Sequence, residues 1–151
     1  MIVNGTLLLD AAPLGPMETT KIRCEASGTS YGLSEGGYDV RLDQGVTLSV
    51  SNRFTLASTM ERFALPRNLL GVVHDKSTWA RRGLSVFNTL IEPGWEGWLT
   101  LELVYHGNGK IHLPRGCGIA QVIFHQLAER ADYGSGKYQS QERGPQEARN
   151  A

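Results

Sequence analysis

Apolar residues along this chain fall in short runs of strand length, broken by glycine, proline and asparagine. The clearest run is Trp98–Tyr105. Its alternation places Leu99, Leu101, Leu103 and Tyr105 on one face and Trp98, Thr100, Glu102 and Val104 on the other, so Glu102 is a carboxylate in mid-strand. Gly36–Leu42 and Gly45–Val50 read as two strands able to pair as a hairpin, Leu69–His74 as a buried strand, Gly83–Asn88 as extended chain, and Ile119–Leu127 as a final apolar strand. Glu92–Gly97 holds the Pro-Gly pair of a tight turn. Asp75–Gly83 has a hydroxyl at a capping position, arginines in its last turn and a glycine where a helix would stop, which predicts one or two helical turns. Short strands with so little helix predict a mainly β fold, a barrel or a sandwich.

The chain carries 18 glycines in 151 residues, well above the roughly 7 % of an average protein, and they punctuate the strands rather than forming a linker. A single domain is expected over residues 1–127. From Ala128 to Ala151 the apolar content collapses, so this tail cannot bury a core of its own and is either disordered or ordered by something it covers. Fifteen basic and 15 acidic residues balance, which gives no bulk field for nucleic acid or another large polyanion. Cys24 and Cys117 stand alone, outside any metal-ligand or C-x-x-C spacing, and suit a reducing cytoplasm. No apolar stretch approaches the ~18 residues of a membrane span, and Met1–Leu9 lacks the features of a secretory leader, so a soluble, unprocessed chain is expected.

Two places hold candidate chemistry. Lys76, Arg81 and Arg82 form a basic cluster without an acidic residue, and on a helix Ser77 and Arg81 share a face, while free N–H groups near Ser77 and Thr78 favour a phosphate. The plain alternative is a capped surface helix whose arginines complement the dipole. Glu102 has the same choice: a solvent-facing strand residue, or a desolvated carboxyl able to exchange protons near neutrality, with Arg81 holding it ionised if the two are neighbours. Gly134-Ser135-Gly136-Lys137 is not a Walker loop, because Ala131 replaces the upstream glycine and Tyr138 the following Ser/Thr. The His-x-Glu and Pro-Cys-x-x-Cys pieces of a zinc deaminase are missing too.

Lys76–Leu84, Ile91–Gly97, Leu99–Glu102 and Gly118–Phe124, in that order, resemble the successive motifs of the dCTP deaminase branch of the dUTPase-like family, and Gly37–Leu42 resembles its early strand. The resemblance implies a distorted β-barrel of dUTPase-like type with one or two short helices, a homotrimer with active sites between subunits, and hydrolysis of the 4-amino group of dCTP to dUTP and ammonia. It makes Glu102 the general base and Ser77 and Arg81 its catalytic companions. Substrate contacts would come from Lys76, Ser77, Thr78, Trp79, Ala80 and Arg81, from Glu92 near the deoxyribose, from Thr100, Leu101 and Glu102 along the strand, and from Tyr133, Lys137 and Gln141. These last belong to residues 128–151, which would close over the nucleotide. Magnesium would accompany the triphosphate, without a catalytic zinc, and neither nucleic acid nor membrane would be a partner.

Some positions depart from the family pattern. Lys76 stands where arginine is more typical and Glu92 where aspartate is, the Phe87–Ile91 loop is short, and Phe87-Asn88-Thr89-Leu90 lacks an alanine that shapes the base pocket. A dUTPase shares the fold but has no use for Glu102. A bifunctional deaminase and diphosphatase, or a non-catalytic nucleotide-binding protein, are the other readings the resemblance leaves open.

Overall fold

The computed structural model describes residues 1–150, and among them the architecture is almost entirely antiparallel β. In chain order the elements are β1 (Ile2–Val3), α1 (Gly5–Ala11), β2 (Leu14–Gly15), β3 (Lys21–Arg23), β4 (Ser30–Leu33), β5 (Tyr38–Arg41), β6 (Val46–Ser49), β7 (Phe54–Ala64) and β8 (Leu69–Asp75). There follow α2 (Ser77–Ala80), β9 (Leu84–Val86), β10 (Leu90–Ile91), β11 (Glu96–Tyr105), β12 (Lys110–Leu113) and β13 (Gly118–Gln126). The largest sheet runs β10-β8-β13-β5-β4-β3, with β1 also on β13; the second runs β2-β7-β11-β9; β12 and β6 form a third. No helix of the described residues is long and apolar enough to cross a membrane.

The apolar strands do what their pattern predicts. Leu101, Leu103 and Tyr105 of β11 are buried against Phe63 of β7 and the Ile119–Phe124 stretch of β13 in one common core. The hairpin expected between Gly36–Leu42 and Gly45–Val50 does not form: β5 pairs with β13 and β4, while β6 pairs with β12. Both segments are strands, but the partners that β13 and β12 supply lie roughly 60 to 85 residues away in sequence, as is common in β-rich folds. The predicted helix is a single turn, α2, and its capping position is Lys76, with no side-chain capping bond. Gly83 then takes φ +90°, a conformation that favours glycine, and redirects the chain into β9.

β7 and β11 pair along almost their whole length, but the register jumps. Trp98 lies opposite Arg62 and Thr100 opposite Ser58, so Thr59, Met60 and Glu61 together face Leu99 alone. The Thr59 hydroxyl fills the gap, accepting from the Leu99 N–H at 3.2 Å and donating to the Glu61 carbonyl at 2.8 Å. This bulge turns Glu61 inward, where it is fully buried and takes both the Arg41 Nε–H at 2.8 Å and the Arg41 backbone N–H at 2.9 Å. Burial pushes the Glu61 carboxyl up, against the opposing pull of Arg41. Arg41 belongs to β5, so the pair joins the two main sheets.

Removing one member of a buried pair leaves an uncompensated charge, at a cost of about 3–5 kcal/mol. Glu61→Ala is therefore expected to lower the melting temperature by roughly 10 °C or more for a domain of this size, measured by differential scanning calorimetry. An unchanged melting temperature would show that the pair does not hold the sheets together.

Candidate active site

The site is built on β11. Leu101 points into the core and is fully buried, which sends its neighbours Thr100 and Glu102 to the opposite face. Glu102 lies across from Leu56 on β7, and its carbonyl accepts the Phe87 N–H at 2.7 Å on the other side. Half-buried among such neighbours, its carboxyl is raised above the ordinary glutamate value by desolvation. No salt bridge among the described residues includes it. Asn88 holds the strand at this point: its side-chain amide donates to the Thr100 carbonyl at 2.9 Å, and its oxygen accepts the Glu102 N–H at 3.1 Å.

Beside this strand opens a cavity of about 260 Å³, walled by Thr89, Glu92, Thr100, Tyr133, Tyr138 and Gln141 among others. The polar tail forms one wall because it is strapped to the barrel's own surface. Trp95 Nε1–H donates to the Tyr138 carbonyl at 2.6 Å, the Ser140 N–H to Glu96 at 3.0 Å, and the Trp98 N–H to Gln141 at 3.2 Å. Gly97, at φ +140°, permits that approach: a Cβ there would stand 2.6 Å from the Gln141 nitrogen. Arg143 extends the strap with an ion pair to Asp43 at 2.8 Å.

A second, more open cavity of about 540 Å³ lies at α2. It is lined by Lys21, Arg23, Ser30, Lys76, Ser77 and Thr78, and the Lys21 ammonium is paired with the Glu35 carboxylate at 2.7 Å. Lys76 is not a free charge there, since its ammonium donates to the buried Asp39 carboxylate at 2.6 Å. The Ser77 hydroxyl, freed from capping, makes no hydrogen bond among the described residues. Trp79 anchors α2 by donating Nε1–H to the Gly118 carbonyl at 2.8 Å. Arg82 stacks over the outer side of that ring, 5.1 Å from its centroid.

Within one chain, then, Glu92, Thr100, Tyr133 and Gln141 share a cavity, with Glu102 next along the same strand face. Lys76, Ser77 and Thr78 line another. Arg81 and Ala80 are exposed beside it, and no ion pair among the described residues joins Arg81 to Glu102, so the arginine–glutamate contact considered from the sequence is not made within this chain. Trp79 and Leu101 are buried, which leaves only their main chain able to meet a ligand. Lys137 is exposed with its ammonium over the Tyr138 ring, outside the cavity wall. Asn88, Tyr138 and the Asp39 partner of Lys76 are further members of these sites. Only Tyr138 had a sequence signal, as an aromatic in an otherwise polar tail.

Comparison with known proteins bears on the family and the fold. A family model described as dCTP deaminase-like matches residues 38–127. The dCTP deaminase of Acinetobacter baumannii strain AYE is 33% identical over 161 residues, covering 83% of this chain and 85% of its own. That of Coxiella burnetii is 34% identical over 160 residues, with the same coverage of 83% and 85%. Among solved structures, EIAV dUTPase superposes with a TM-score of 0.58 at 23% identity, over 82% of this chain and 98% of its own. The dUTPase of Staphylococcus bacteriophage 80alpha reaches 0.59 at 13% identity, over 84% and 97%. At these identities the structural neighbours speak to the fold, a dUTPase-like one, and the sequence relatives speak to descent: the chain belongs to the dCTP deaminase-like family.

Proposed function

We propose that the protein hydrolyses dCTP to dUTP and ammonia with Glu102 as general base. The observation that carries this reading is a half-buried carboxyl, raised by desolvation and in no ion pair among the described residues, on the strand face that continues into the Thr100–Gln141 cavity. A carboxylate whose pKa is raised by desolvation is a stronger base and can take a proton from water as the oxygen attacks C4. It then delivers protons to the ring nitrogen and to the departing amine, so that C4–N breaks and water's oxygen stays on the ring. Leu101 in the core keeps the base's backbone still, and Thr100 and Gln141 lie where the nucleoside would be gripped.

The hydroxyl that such a reaction needs lines the other cavity, at Ser77, and the cation, Arg81, is exposed beside it. Ser77 and Arg81 of a neighbouring copy are proposed to meet Glu102, in a homotrimer with sites between subunits. The face around Glu102 supports this: Phe54, 53 % exposed, lies on it, and Phe87, 75 % exposed, flanks it, an apolar surface that suits burial against another chain. Lys76, Ser77 and Thr78 would take the phosphates. The tail from Ala128 onward, already strapped across Gly94–Trp98, would close over the nucleotide through Tyr133 and Gln141. Lys137 would need to swing in from its exposed position.

Magnesium enters as the counter-ion of the triphosphate. Among the described residues no three His, Cys, Asp or Glu side chains converge, and the single buried carboxylate oxygen without a partner, Asp39 Oδ1, belongs to a group already bound to the Lys76 ammonium. The protein therefore offers no cage, and an ion would be held mainly by phosphate oxygens and water, as magnesium commonly is.

Incubation with dCTP and magnesium is expected to release ammonia and dUTP, followed by a coupled ammonia assay and chromatography. Pyrophosphate from dUTP without ammonia from dCTP would assign the site to a dUTPase, pyrophosphate in addition would make it bifunctional, and binding without either product would leave a nucleotide-binding protein. Glu102→Gln keeps the shape and is expected to retain dCTP binding while turnover falls roughly 10²–10⁴-fold. Because the carboxylate form is the active one and its pKa is raised, kcat/KM should decline on acidification at a pH above the ordinary glutamate value. A rate flat down to that ordinary value would count against Glu102 as the base.

A further inference from the structure

The side chain of Asn88 spends both of its polar ends on main chain. Its Nδ2–H donates to the Thr100 carbonyl at 2.9 Å and its Oδ1 accepts the Glu102 N–H at 3.1 Å, so one amide spans the strand on either side of Leu101. β9 ends at Val86, just before Asn88, and its last strand-like bond is the Phe87 N–H to the Glu102 carbonyl at 2.7 Å. From here the chain leaves β11 to form the cavity wall at Thr89 and Leu90. Without Asn88, the Thr100 carbonyl and the Glu102 N–H would lose these partners where the edge strand stops. The amide thus continues the ladder by one side chain and fixes the loop wall of the cavity relative to the base.

We propose that Asn88 is a positioning residue for the deamination, acting through the Thr100–Glu102 segment and setting where the Glu102 carboxylate stands relative to the nucleotide. This rests on the assignment of Glu102 as base. The groups packed around Glu102 leave it dependent on such support: Leu56 faces it from β7 and Phe87 lies beyond β9, neither able to hydrogen-bond its carboxylate through a side chain. The titratable groups further along these strands are engaged elsewhere, Arg53 with the Tyr105 carbonyl at 3.0 Å and His106 with the Ser85 hydroxyl at 2.7 Å. A misplacement near 1 Å of a catalytic group can cost on the order of 10²-fold in rate, so a clamp at the strand carrying the base is where one amide has leverage.

The test uses the full-length protein. Asn88→Ala is expected to lower kcat for dCTP roughly tenfold or more, with KM changed no more than about threefold. It should also move the acid limb of the rate profile downward, as water reaches a carboxylate that was held dry. Asn88→Asp keeps the acceptor for the Glu102 N–H, so it should recover part of kcat while its added negative charge moves the same limb upward; being nearly isosteric, it also carries the test if the alanine variant does not fold. In hydrogen exchange, the Glu102 amide should exchange faster in Asn88→Ala than in wild type, whatever the activity. Wild-type kcat and an unmoved limb in Asn88→Ala would overturn the proposal. A wild-type enzyme that releases no ammonia from dCTP would instead overturn the assignment of Glu102, and with a faster-exchanging Glu102 amide the clamp itself would still stand.

Discussion

The ion pair between Glu61 and Arg41 is the contact on which the site's geometry depends. It joins β7 to β5, and therefore one main sheet to the other, through a carboxylate with no exposure to solvent. A pair so deeply buried gains little over an apolar contact in stability, yet tolerates no loss of either partner. What it achieves here is a matter of register. Glu61 can turn inward only because β7 carries two more residues than β11 between Arg62 and Ser58, and that same bulge puts Leu99 opposite the Thr59 hydroxyl. The strand resumes its alternation at Thr100, with Leu101 locked in the core and Glu102 outward.

From that register follows a division of labour along one strand. Core-facing residues supply rigidity, and the outward ones supply chemistry a few ångströms away, which is how a thin β structure can hold a reactive carboxyl steady. The cost is that the outward face is half open. Glu102 is desolvated enough for its carboxyl to be raised and forms no ion pair among the described residues, while Ser77 and Thr78 line the separate cavity at α2. Within one chain these two sets of residues stay apart. Lys76 sharpens the point: its charge is matched by Asp39, so Arg81, exposed and unpaired by any carboxylate among the described residues, is the cation of that segment best able to serve a neighbour.

How much of this was legible in the sequence varied with the kind of interaction. The strand period in Trp98–Tyr105 was enough to separate Leu101 from Thr100 and Glu102, because burial writes itself into alternation. The helical turn before Gly83 was legible for a similar local reason. Which strands pair was not, since β5 and β6 each chose partners far along the chain. Glu61 was hidden because a bulge inverts the very alternation that would have exposed it. Asn88 was hidden because its partners are main-chain groups, which any residue supplies. The tail looked unable to order itself, and by composition it is; it is held by main-chain bonds to Glu96 and Trp98 together with the Trp95 indole and the Arg143–Asp43 ion pair, whose partners lie about 40 or more residues away in the sequence.

The central claim is that Glu102 of one copy works with Arg81 of another, and mixing two inactive variants tests it most directly. Glu102→Gln and Arg81→Ala are each expected to be nearly inactive alone. Unfolded together in equal amounts and reassembled, they should regain roughly a quarter of the activity of wild type treated the same way, the fraction of sites in a closed ring that receive both intact residues. A mixture that reassembles but stays as inactive as its components, or an Arg81→Ala variant with wild-type turnover by itself, would contradict the account.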